Sequence, residues 1–141
     1  MRRHPIAAAL ALATAFAAAP ASACAVHEPL NLRAALSADL VVVGRIGHHN
    51  VDPNGTDHFD VAIAEVLRGR AGRRVAVRHS DRMLGPLRSL PRRPVLIALR
   101  REGGGYAVLW HICSDPFLLD ARSRSALATR RLLRQGAGRR R

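Results

Sequence analysis

Lysine is absent from this chain: all 23 basic residues are arginine, set against 10 acids. Together with abundant alanine and glycine, that bias looks like the codon usage of a GC-rich genome rather than selection for a phosphate-binding face. Aromatic residues are scarce too, at 4% of the chain. Specific single-strand nucleic-acid binding rests on aromatic stacking platforms, so this scarcity argues against it despite a net charge of +13. Only two cysteines occur, Cys24 and Cys113, which allows at most one internal bridge. No apolar run approaches the roughly 20 residues a membrane-spanning helix requires, so no transmembrane segment is expected.

What is present begins with an export signal. Arg2, Arg3 and His4 form a basic head, and residues 6 to 19 are apolar apart from Thr14. Pro20 then precedes Ala21-Ser22-Ala23, the small-x-small pattern of a cleavage site. The expected partition is a signal peptide over 1–23, a barrel over 24–120, a C-terminal helix over 121–135 and a basic tail over 136–141. Removing the first 23 of 141 residues leaves 118, enough for one modest core. It also lowers the net charge from +13 to +11, because Arg2 and Arg3 leave.

Cleavage would place Cys24 first in the mature chain, where three uses are open. A bridge to Cys113 would close nearly the whole domain, and two cysteines in an exported protein favour it. On the chain-entropy model such a loop is worth about 4 to 5 kcal/mol. Lipidation is the second use, but lipoprotein signals place a leucine where Ala21 stands. A free thiol is the third. The protein is therefore expected to be secreted or periplasmic, with a lipid anchor the lesser alternative.

Periodicity predicts mostly short strands. "LVVVGRIG" (40 to 47) is β-branched and ends on glycine, and "HFDVAIAEV" (58 to 66) alternates Phe59, Val61 and Ile63 with polar or small residues. Between them "VDPNGTD" is turn chemistry, with proline fixing φ and Asn-Gly supplying a left-handed position. Centring that turn on residues 52 to 55 sets Ile46 opposite Val61, His48 opposite Phe59 and His49 opposite His58. "RVAVRH" (74 to 79), "VLIALR" (95 to 100) and "YAVLWHIC" (106 to 113) supply three more strands. A short helix is predicted near Leu32, Ala35 and Leu36, and a final helix from about Ala121, capped by Asp120. Prolines 86, 91 and 94 oppose a long helix in the 80 to 94 connection. Five short strands with one long connection after the third predict an all-β fold with terminal helices, a small five-stranded OB-like Greek-key barrel.

The N-terminal cysteine, "ADLVVVGRI", "VAIAEVLRG", "PVLIAL" and "WHIC" resemble the netrin-like domain shared with tissue inhibitors of metalloproteinases. The resemblance covers roughly residues 24 to 118. It implies an OB-like barrel with its N-terminal segment tied to the barrel by a disulfide. In the inhibitors, the α-amine and carbonyl of the first cysteine chelate the target protease's zinc, and Cys24 matches that position. Their Cys-x-Cys start is not reproduced, since Val26 stands third in the mature chain.

No catalytic constellation emerges, so a non-enzyme is expected. His79-Ser80-Asp81 holds triad residue types, but sequence neighbours on extended chain point apart, whereas real triads converge from separate segments. His111 and Cys113 share a predicted strand face, yet a bridged Cys113 cannot act as a thiolate nucleophile. His49 and His58, opposed across the first hairpin, would lie close enough to share Cu or Zn, with Asp57 or Asp60 as an oxygen ligand. No cofactor is expected. The leading expectation is an exported binding module for another, unidentified protein, with zinc-protease inhibition through Cys24 and metal binding through His49 and His58 as alternatives. Arginines 130, 131, 134, 139, 140 and 141 also predict weak adhesion to anionic surfaces at low salt.

Overall fold

The computed structural model describes residues 26–80, 86, 87, 89–111 and 113–138. Strands β1 (Leu40–Val51), β2 (Asp57–Arg68), β3 (Arg74–His79), β4 (Val95–Glu102) and β5 (Gly105–Val108) pair in the order β1-β2-β3-β5-β4, and β4 returns to β1. The sheet therefore closes into a five-stranded barrel, as the strand count and long connection predicted. Among the described strands β3 and β5 pair in parallel, and the other strand pairings are antiparallel. A short β6 (Leu118–Asp120) adds to β4, and helix α1 (Arg124–Gly138) follows it.

Two apolar layers explain why two strands are continuously hydrophobic and two alternate. Leu40, Val42, Phe59, Val61, Val75, Val77, Ile97, Leu99 and Val108 fill the barrel interior. Val41, Val43, Leu96 and Ala98 point outward from the same β1 and β4, yet they are buried too. Ala35 and Ala38 at the 3-10 helix Leu32–Ser37, Phe117, and Ala126 and Leu133 of α1 cover them. Strands buried on both faces read as unbroken apolar runs, hence "LVVV" and "VLIAL". Strands β2 and β3 bury one face only and keep the period of two. Gly44 lets β1 and β2 approach: a Cβ there would sit 2.8 Å from Val61 Cγ1 and closer still to the Ala62 carbonyl oxygen.

The expected fifth strand over 106 to 113 is corrected. Strand β5 stops at Val108, the chain leaves the sheet, and Phe117 rejoins the same edge of β4 before β6. Leu109 N–H donates to the Ala98 carbonyl, Phe117 N–H to the Leu109 carbonyl, and Ala98 N–H to the Phe117 carbonyl. The excursion turns where Ser114 N–H donates to the His111 carbonyl and Cys113 takes a left-handed φ of 69°. His111 and Cys113 thus belong to a turn and do not share a strand face.

The final helix begins three residues later than predicted. Asp120 Oδ1 instead accepts the Arg122 N–H at 2.8 Å, while Ser123 Oγ accepts the Ala126 N–H at 3.1 Å and serves as the N-cap. Among the described residues, no helix is long and apolar enough to cross a membrane.

Candidate functional site

With β1 and β4 covered outside, the outward face of β2, β3 and β5 is the sheet surface open to a partner. Ala62 and Ala76 are exposed there, flanked by Asp60 and Arg78. A groove of about 230 Å³ runs along this face, lined by His48, Asn50 and His58 of the first hairpin, Arg78 of β3, and Glu102 and Tyr106 around the β4–β5 turn. Enclosed small-molecule sites measure about 300–1,000 Å³. A smaller, open hollow suits a side chain or loop of a protein surface better than an engulfed ligand.

Charge along the groove is paired but accessible. Arg78 Nη2 donates to Glu102 Oε1 at 3.1 Å, and Arg100 Nη2 donates to Glu102 Oε2 at 3.2 Å. Arg74 Nη1 reaches Asp60 Oδ2 at 3.5 Å. Exposed pairs of this kind add little to stability, so an incoming partner can exchange them at small cost. At the rim the Arg101 guanidinium lies 5.8 Å from the Tyr106 ring centroid, a cation–π contact.

The hairpin that walls one end departs from its expected register. Ile46 faces Val61 and Gly47 faces Asp60, as the turn chemistry predicted, but Asn50, not His49, faces His58. The register shifts between these pairs, and His48 adopts a φ of 50°. A bulge of this kind re-aims side chains. His49 turns toward Asp57, its Nε2 donating to Oδ1 at 2.6 Å, with its ring 6.5 Å from Phe59 in edge geometry. His58 instead lies 3.2 Å from Asp52 Oδ2. The two imidazoles thus serve different carboxylates, and no cluster of three or more potential metal ligands occurs among the described residues.

Asp52 organises the turn itself. Its Oδ1 accepts the Asn54 and Thr56 N–H groups, both at 2.9 Å. The Thr56 N–H, with the His58 imidazole second, holds the Asp52 carboxyl below its ordinary value of 3.8. A carboxyl with a depressed pKa in the folded state supports the structure above its ordinary value and loses that support as pH falls through the lower one. The Thr56 amide resonance is accordingly expected to titrate with a midpoint below 3.8, and Asp52→Asn should abolish that titration. A midpoint at or above 3.8 would contradict the assignment.

Asp57 was expected beside the turn as a possible outward ligand, but it is fully buried. Its Oδ2 accepts the Leu87 N–H at 2.9 Å, which ties Leu87 to the hairpin. His79, directly opposite Asp57 on β3, is buried as well and meets Trp110 edge-on at 6.3 Å. Sequence reasoning missed this buried polar end of the barrel. The signal was parity: Asp57 stands two residues before Phe59, and His79 two after Val77, on the faces already assigned to the core. Asp81, the third residue of the adjacent triad-like stretch, lies outside the described residues, as does Cys24.

The chain entering the barrel lies against the turn that holds Cys113. Glu28 N–H donates to the Cys113 carbonyl at 2.8 Å, Glu28 bridges Ser114 in parallel, and His27 Nε2 lies 3.3 Å from Asp115 Oδ2. No described cysteine carries a free thiol. No protein-family model matches the chain, and no curated protein matches it.

Proposed function

We propose that the protein is an exported, non-enzymatic binding module of netrin-like type. In this reading the groove between the first hairpin and the β4–β5 turn receives a loop of another protein. One observation carries it: the outward face of β2 and β3 is left bare in a small barrel whose other outward face is sealed by helices. In OB-like barrels, the strand 2–3 face and the loops beside it are where ligands bind, an argument by analogy of fold.

The Cys24–Cys113 bridge belongs to the same reading. Glu28 is already held at the Cys113 carbonyl, and the four residues back to Cys24 span at most about 14 Å when extended, so the two sulfurs are within reach of each other. Closing that loop would anchor the entering chain beneath the barrel and leave both sulfurs unreactive. Intact mass of the protein recovered outside the cytoplasm checks processing and bridge together. Loss of the first 23 residues and of two hydrogens is expected; a full-length chain with two alkylatable thiols contradicts the reading.

For the groove, photo-crosslinking residues placed at Asn50 and at Ala76 should trap one defined protein adduct in the native exporting cell. The same probe at Arg93, exposed and off the groove, should not. Equal adducts at all three positions, or none at Asn50 and Ala76, would overturn the groove as the docking site.

A further inference from the structure

Helix α1 buries Ala126, Thr129 and Leu133 and is pinned to β2 by Arg130, whose Nη1 donates to Glu65 Oε1 and Oε2 at 3.0 and 2.8 Å. Its opposite face carries Arg124, Leu127, Arg131 and Arg134, all exposed. At 100° per residue these four fall within about 80° of arc and extend for about 15 Å along the axis. Arg122, also exposed, stands just before the helix. Between Ala121 and Arg141 the sequence holds no acid, so nothing on the helix neutralises the row.

From this we infer that the outer face of α1 is a docking surface for an anionic lipid bilayer. The row is straight and lies on a rigid element, so its guanidinium groups can meet several headgroup phosphates in one plane. Leu127 projects among them with 47% of its surface exposed, where a purely electrostatic face needs no apolar residue. Arginine stems lie along apolar surface while their heads stay at the polar boundary, which lets Leu127 enter the headgroup layer as the charges remain in the phosphate plane. A hollow over this face is lined by Ala121, Leu127 and four arginines, Arg122, Arg130, Arg131 and Arg134. It offers no aromatic ring on which a nucleic-acid base could stack.

Sedimentation of the processed chain, from Cys24 onward, with vesicles tests the assignment. Vesicles of phosphatidylcholine with about one-third phosphatidylglycerol should bind the protein, and binding should fall steeply with salt; pure phosphatidylcholine should not bind. Each arginine near an anionic surface is worth about fivefold in affinity. The double variant Arg131→Gln/Arg134→Gln should therefore lose about 25-fold, while Arg73→Gln/Arg100→Gln, equal in charge but off the helix, should lose far less. Leu127→Asn should weaken binding several-fold at unchanged charge. All of these positions are exposed, and circular dichroism checks that each variant folds. Equal losses in the two double variants would overturn the proposal. So would a Leu127→Asn variant that binds like the parent, or a parent that prefers an oligonucleotide to the vesicles.

Discussion

Replacing Phe117 with alanine is expected to cost about 3 to 5 kcal/mol of folding free energy, the range for removing a buried aromatic ring. Phe117 is 1% exposed and is the largest fully buried side chain among the described residues. It fills the outer layer between β4 and the helices, packed with Val41, Val43, Leu96, Ala98, Ala126 and Leu133. Its backbone is equally committed, donating to the Leu109 carbonyl and accepting from the Ala98 N–H. The ring therefore sits where the chain re-enters the sheet after the Cys113 turn, and the cavity left by alanine cannot collapse without moving β4. Domains of this size are stable by only about 5 to 15 kcal/mol, so the loss is a large fraction of the total. Urea unfolding should show the midpoint falling at nearly constant slope. Phe117→Leu should recover most of it. A Phe117→Ala change below about 1 kcal/mol would mean that this layer is not closely packed.

How much of this was legible in the sequence depends on the range of the interactions involved. The barrel was legible because burial on one or both faces writes itself into local periodicity, as "LVVV" and "VLIAL" against the alternation around Phe59 and Val75 show. The first hairpin was legible as far as its turn, since Asp52, Pro53, Asn54 and Gly55 dictate local dihedrals. Its bulge was not: His48 takes a left-handed φ without being glycine, and it does so beside a neighbour that reaches a buried carboxylate. That carboxylate's environment is set partly by Leu87, 30 residues away. The excursion between Val108 and Phe117 was likewise hidden. "YAVLWHIC" has strand composition throughout, and only the chain's return at Phe117 to the same edge of β4 shows that Trp110, His111 and Cys113 lie off the sheet. The helix start was misplaced because Asp120 and Ser123 both suit a cap, and Asp120 is occupied by the Arg122 N–H.

Asp57 is the buried polar group on which the hairpin end of the barrel turns, and Asp57→Ala is expected to destabilise the protein by about 1 to 3 kcal/mol, the cost of leaving a buried donor without its acceptor. Two donors converge on this carboxylate, His49 Nε2 at 2.6 Å and the Leu87 N–H at 2.9 Å, and both would lose their acceptor. His49→Ala should cost less, because its side chain is 32% exposed and the carboxylate would keep the Leu87 N–H. A double-mutant cycle isolates the pair: groups in direct contact couple by about 0.5 to 3 kcal/mol, whereas independent sites add. The 80 to 94 connection supplies a second readout. Asp57→Ala should accelerate hydrogen exchange at the Leu87 amide, while His49→Ala should leave it slow, since the acceptor persists. If Asp57→Ala is nearly neutral and Leu87 exchanges at its parental rate, the carboxylate does not hold Leu87. The bulge at His48 would then need another cause, because no other described carboxylate bonds the His49 ring.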